Sequence, residues 1–235
     1  MSTAAYDPER FYLALDTSGP TGWVAVGVGG RTLAGARMDR TGEHAGRLAP
    51  TIADVLEEAR VAARELAGVI VGEGPGSFTG VRVAAATAKG LVHALGVPLW
   101  SFSSLAAGAI GGGDLTDGIR YVLFDARGDR VYGGCYGVGS VGVREMVAPH
   151  FAHLRDLLAG DVPPGAVFVG SGAVRHERAI EALGFPVADP PLGVPAASAL
   201  LRLLALHPDT PALESPATWE PRYLRASNAE RARTG

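Results

Sequence analysis

The residues most able to do chemistry are clustered in Gly72-Glu73-Gly74-Pro75-Gly76-Ser77-Phe78-Thr79-Gly80-Val81-Arg82. Glycines at 72, 74 and 76 admit backbone dihedrals and close approaches that a Cβ forbids, and Ser77 and Thr79 are residue types that cap a helix. Amide N–H groups at such a helix start attract an anion, so one reading of Gly74, Gly76, Ser77, Thr79 and Gly80 is a phosphate cradle. The other reading is a tight, well-capped turn. Pro75 removes one N–H from the cradle, and no Gly-Lys-Ser/Thr follows at Walker spacing, so the spacing favours the turn.

Two aspartates extend the possible site. Asp16 ends an apolar run and opens Asp16-Thr17-Ser18-Gly19-Pro20, and Asp125 stands in the same relation to a second apolar run. As a pair they could hold a magnesium-bound nucleotide. Hairpin-tip aspartates also cap their own turns. The six histidines offer no pair at i, i+4 for a shared metal, and His150 and His153 read as surface residues. No Gly-x-Ser-x-Gly elbow surrounds Ser77, which argues against a serine hydrolase. Cys135 is the only cysteine, so an internal disulfide is excluded, and its strand-like setting reads as an inert core thiol.

The elements that must position these residues alternate in period. Residues 11–15, 23–28 and 31–38 read as strands joined by turns, 69–71 as a short buried strand, and 98–101 as another. Leu48, Ile52 and Val55 recur at helical spacing over about 44–60, where Pro50 is tolerable only in the first turns. Ala84, Ala88, Leu91 and Val92 trace a second helix over 79–95, closed by Gly96 and Pro98. A short helix is expected over 103–110. Gly111-Gly112-Gly113-Asp114 is the natural boundary, giving lobes 1–110 and 111–235. The second half starts again with a hairpin, 121–124 and 131–136, and repeats a strand and glycine turn at 167–173. This is the order of a duplicated α/β lobe.

At 235 residues with 47% hydrophobic side chains and 33 glycines, the chain suits a globular, turn-rich protein with a substantial core. No apolar run approaches the roughly 18 residues that span a bilayer, and the N-terminal ten residues lack a signal's apolar region, so a cytoplasmic protein is expected. A net charge of −3 speaks against autonomous nucleic-acid binding; RNA would be reached through another subunit. The segment Arg222–Gly235 carries Arg222, Arg225, Arg231 and Arg233, a solvated tail or an RNA or partner contact.

Asp16, Asp125 and the glycine turns together resemble the actin, hexokinase and Hsp70 superfamily, which implies a two-lobed actin-like α/β fold (ribonuclease H-like, with mixed sheets). Leu13-Ala14-Leu15-Asp16-Thr17-Ser18, the 72–82 loop and Thr87-Ala88-Lys89-Gly90-Leu91 resemble more narrowly the bacterial TsaB family, also called YeaZ. The resemblance continues through Ser103-Ser104-Leu105, Asp125-Ala126-Arg127 and Val169-Gly170-Ser171-Gly172 to Pro221-Arg222-Tyr223-Leu224-Arg225. It implies a non-catalytic subunit in the formation of threonylcarbamoyladenosine beside the tRNA anticodon, pairing with catalytic TsaD, assisted by the ATPase TsaE, and meeting tRNA only within that complex. Where family members begin the first helix with His-Ser-Glu, this chain has Glu43-His44-Ala45.

The family's dimer surface maps onto the two helices at 44–60 and 79–95. The expected contact residues are accordingly Leu48, Ile52, Val55, Ala84, Ala88, Leu91 and Val92, for a TsaD-type partner or a second copy. On that expectation Ala88→Arg or Leu91→Glu abolishes pairing and leaves the monomer folded. No cofactor or metal is expected in the isolated chain, with ATP and magnesium placed at the complex interface. The alternative is a stand-alone ATP-dependent kinase or hydrolase using Asp16, the 72–80 loop and Asp125.

Overall fold

The computed structural model describes residues 5–39, 44–111 and 115–224. Strands β1 (Phe11–Asp16), β2 (Gly22–Val28) and β3 (Arg31–Met38) form an antiparallel meander. Helix α1 (His44–Ala59), a 3-10 turn (Ala63–Glu65) and β4 (Leu66–Gly72) follow, then α2 (Phe78–Leu95), β5 (Leu99–Phe102) and α3 (Ser104–Ala109). The β4 and β5 strands run parallel to β1, giving the order β3-β2-β1-β4-β5.

The second half repeats this plan. An antiparallel meander of β6 (Gly118–Asp125), β7 (Arg130–Gly139) and β8 (Gly142–His153) is joined by α4 (Leu154–Leu158) to β9 (Ala166–Val169). Helices α5 (Ser171–Arg175) and α6 (Glu177–Glu181) lead to the two-residue β10 (Val187–Ala188). The resulting order, β10-β9-β6-β7-β8, is the first sheet's order counted from the opposite edge, so the duplication expected from the strand and turn pattern is present in the topology. Helix α7 (Ala197–Leu206) completes the elements.

Alternation along the strands decides which layers meet. Leu13, Leu15, Val69 and Val71 face α1 and α2, whereas Tyr12, Ala14 and Ile70 face the opposite way. In the second sheet Tyr121 and Leu123 point toward the side of α4, α5 and α6, and Val122 and Phe124 point inward. Between the two sheets lie α3 and α7. Leu105, Ala107 and Ile110 join Leu200, Leu201 and Leu204 in one apolar core that includes Trp100 of the first sheet and Tyr136 of the second. Helix α7 packs on β1, β2 and β3 as well as α3, so a late segment closes the first sheet.

Pro50 stands inside α1 rather than in its first turn. The hydrogen bond that it removes would have ended on Gly46, which is exposed and free to be hydrated. The Arg120 guanidinium, on β6, is buried and donates to the carbonyls of Ala109 and Thr116 and to the Thr116 hydroxyl. It thereby ties the end of α3 to the second sheet.

Candidate functional site

The sheet order explains why Asp16 and the glycine loop meet. Strands β1 and β4 are parallel neighbours, so their C-terminal ends, Asp16-Thr17-Ser18 and Gly72-Glu73-Gly74, emerge side by side. Asp16 is fully buried. One carboxylate oxygen accepts the Ser18 amide at 2.7 Å and the other accepts the Ser104 hydroxyl at 2.6 Å. Burial pushes the Asp16 carboxyl above its ordinary range, against the pull of these hydrogen bonds. Ser104, at the start of α3, also accepts the Gly74 amide at 3.1 Å, and its own amide donates to the Gly74 carbonyl.

The expected cradle is filled by the chain itself. The Ser77 amide donates to the Ser18 carbonyl, and the Thr17 hydroxyl donates to the Gly80 carbonyl at 2.5 Å. Ser77 is the N-cap of α2, its side chain accepting the Gly80 amide at 3.3 Å. A Cβ at Gly72 would strike the Asp16 carboxylate, at Gly76 the Ser18 backbone, and at Gly80 the Thr17 carbonyl. Gly74, at φ +90°, precedes a cis peptide bond to Pro75. Thr79 is exposed and caps nothing. The cavity over the loop, lined by Pro75, Gly76, Phe78, Val81, Tyr132, Arg222, Tyr223 and Leu224, measures about 20 Å³. A small-molecule pocket is roughly 300–1,000 Å³. The geometry is therefore that of the tight, capped turn: the Asp16 carboxylate is inaccessible, and the space over the loop is far smaller than a nucleotide.

Asp125 occupies the equivalent strand end in the second sheet and caps its own turn. Its oxygens accept the Arg127 amide and the Arg175 guanidinium, each at 2.9 Å, and its amide donates to the Ser171 hydroxyl. His150 and His153 lie on β8, three residues apart and so on opposite faces. His150 meets the Tyr121 ring edge-on, and His153 pairs with Asp129 at 2.9 Å. Among the described residues no three His, Cys, Asp or Glu side chains are grouped to hold a metal ion. Cys135 is buried, which pushes its thiol up to about 11 and keeps it protonated at neutral pH.

The expected partner surface requires correction. Leu48, Ile52, Val55, Ala84, Ala88 and Val92 are buried in the chain's own core against the first sheet, and Leu91 is only partly exposed. Helical periodicity marks the inward face, and the outward face is the complementary one. On α2 that outward ridge is Thr79, Arg82, Ala86, Gly90, His93 and Ala94; on α1 it includes Ala45, Gly46, Ala49 and Ala53. A Cβ added at Gly46 or Gly90 would meet nothing within 4 Å. Sequence reasoning also missed a cluster at the start of α2. The Arg82 guanidinium lies 4.0 Å from the Phe78 ring centroid and 5.6 Å from that of Tyr223, and it donates to the Tyr223 hydroxyl at 3.2 Å. Phe78 and Arg82 share a helix face at i, i+4, but no local pattern signals a partner 141 residues away.

Two duplicated sheets of this topology, with glycine turns at the ends of β4 and β9, define an actin-like α/β protein. Component A of (R)-2-hydroxyglutaryl-CoA dehydratase from Acidaminococcus fermentans shares the fold over 85% of this chain and 98% of its own, at 12% identity and a TM-score of 0.51. Residues 40–203 match the family model for TsaD, tRNA N6-adenosine threonylcarbamoyltransferase. The Bacillus subtilis tRNA threonylcarbamoyladenosine biosynthesis protein TsaB is 32% identical over 72% of this chain and 74% of its own. An uncharacterised protein of Mycobacterium tuberculosis is 34% identical over 93% of each chain. YeaZ from Pseudomonas aeruginosa superposes with a TM-score of 0.75 at 30% identity, over 92% of this chain and all of that one. The chain belongs to the TsaB (YeaZ) family.

Proposed function

We propose that the chain is the non-catalytic dimerisation and activation subunit in threonylcarbamoyladenosine formation on tRNA, joined to a TsaD-type catalytic subunit and served by a TsaE-type ATPase. The name of the B. subtilis relative supports the pathway, and the state of Asp16 carries the non-catalytic role. That carboxylate is fully buried, with each oxygen accepting a hydrogen bond from the chain's own donors, so a magnesium-bound nucleotide has no access to it. ATP and magnesium belong, on this reading, to the interface of the assembled complex, and tRNA is met only there.

The partner surface is the outward side of α1 and α2. A glycine inside a helix costs about 1 kcal/mol relative to alanine. At Gly90 the folded monomer gives no return for that cost, since the space is open. A closely approaching helix does, because small side chains let two backbones near each other. The family model for TsaD covers both helices in this chain, so the catalytic subunit has counterparts of the same elements to present. Pairing like with like biases TsaD toward its competent arrangement, a population shift rather than chemistry. A second copy of this chain competes for the same face. No described helix is long and apolar enough to cross a membrane, and the work takes place in the cytoplasm with tRNA.

The test is nucleoside mass spectrometry on tRNA incubated with ATP, threonine, bicarbonate and the other pathway proteins, with and without this chain. Loss of threonylcarbamoyladenosine on omission is expected. Undiminished product sinks the reading.

A further inference from the structure

Just after α7, His207 accepts the Val143 amide of β8 at 3.3 Å, and the chain then turns to the first sheet. Residues 207–224 run as a strap along β5 and the flank of α2, and the strap is fixed at several points. The Trp100 indole donates to the Thr210 carbonyl, the Leu213 amide to the Leu99 carbonyl, and the Lys89 ammonium to the Ala217 carbonyl at 3.0 Å. Leu213 and Trp219 pack on the core beneath α2, and the Arg222 amide donates to the Glu73 carbonyl. These anchors deliver Tyr223 to the first turn of α2, where its ring centroid lies 5.2 Å from that of Phe78.

Arg82 stands at the junction of strap and partner ridge. It is exposed, it shares the outward face with Ala86 and Gly90, and its neighbours there are too small to shield it. Among the described residues no carboxylate pairs with it. Of its five N–H groups one is directed at Tyr223, which leaves both terminal nitrogens open for a two-pronged contact with a carboxylate. Two aromatic rings hold the guanidinium in place, so part of the ordering cost of that long side chain is met before any partner arrives.

We propose that Arg82 is the specificity-determining cation of the partner face, receiving a carboxylate from the matching helix of the TsaD-type subunit, and that Tyr223 of the strap is its positioning residue. The inference rests on the proposed pairing through α1 and α2. It makes the strap a controller of docking, because displacing the strap leaves Arg82 present but unaimed.

The experiment is a double-mutant cycle read by calorimetric titration of the full chain with its TsaD-type subunit, at low and high salt. Arg82→Gln should weaken pairing at least tenfold and flatten its salt dependence. Tyr223→Ala should weaken it several-fold with Arg82 present and have no further effect in the Arg82→Gln background. Tyr223→Phe, which keeps the ring and loses the hydroxyl, should fall between Tyr223→Ala and wild type, with thermal unfolding unchanged. Additive effects of the two residues overturn the positioning role, and an unaffected affinity in Arg82→Gln overturns the whole inference. Ala86→Arg serves as the control on the underlying reading. If it fails to block pairing, the ridge is not the interface and both proposals fall; if it blocks pairing while Arg82→Gln does not, only the present one does.

Discussion

Ser104 donates its hydroxyl proton to Asp16 at 2.6 Å, and both side chains are fully buried. The two residues come from different elements, the end of β1 and the start of α3, so this bond fixes the interlobe helix onto the first sheet. Ser104→Ala should cost about 2 kcal/mol, in the range for a buried hydrogen bond to a charged group, with the loss read by urea denaturation.

The same carboxylate gives a pH dependence of defined sign. Burial raises the Asp16 pKa above its ordinary 3.8, so the folded state holds this proton more firmly than the unfolded chain does. The associated stability is present below that ordinary value and is lost as pH rises through the folded one. Compared with Asp16→Asn, which cannot titrate, the wild type should lose stability on going from pH 4 to pH 7. A flat difference between the two denaturation series would show that the carboxylate is not desolvated.

Arginine at two positions two residues apart on α2 should have opposite consequences. Ala88 is wholly buried, so Ala88→Arg places a charge in the core and should unfold the monomer, contrary to the expectation from the sequence. Ala86 is exposed, so Ala86→Arg should leave the circular dichroism spectrum and melting temperature intact and remove TsaD-type partner binding in gel filtration.

Two glycines of α2 should respond oppositely to alanine. Gly80→Ala drives a methyl into the Thr17 carbonyl and should cost about 2–4 kcal/mol. Gly90→Ala faces open space and should stabilise the monomer by about 1 kcal/mol, while weakening partner affinity if helices meet closely there. Melting temperatures and calorimetric titration separate the two effects.

Much of the fold was legible because period and punctuation coincide. The apolar run at 11–15, the helical stripe at 84, 88 and 92 and the stop at Gly96 map onto β1, α2 and its left-handed cap. The twelve-residue β8 escaped, since Pro149 and mixed polarity break its alternation. Helix α7 was missed for a different reason. Ala-Ser-Ala-Leu-Leu-Arg-Leu-Leu-Ala-Leu is apolar nearly all round, as a helix between two sheets must be, and it therefore lacks the amphipathic stripe that identifies a surface helix. At the site, Asp16 and the glycine loop were visible as residues, but their mutual closure depends on Ser104 and on strand adjacency. The apolar stripes of α1 and α2 were read correctly as packing surfaces and assigned to the wrong neighbour. One stripe serves sheet or partner equally well, and only the position of the first sheet decides. Residues 225–235, with Arg225, Arg231 and Arg233 of the arginine-rich tail, and Glu43 lie outside the described residues.

The placement of α7 sets what can be cut from this chain. A fragment ending near residue 110 would contain every strand of the first sheet and lack the helix that covers one of its faces, leaving Tyr12, Ala14 and Ile70 facing water. Its counterpart would carry α7 without β1, β2 and β3, the strands of the first sheet on which it packs. The two repeats, alike as they are in topology, are thus tied into one unit of inheritance. Neither can be transplanted, swapped or lost alone.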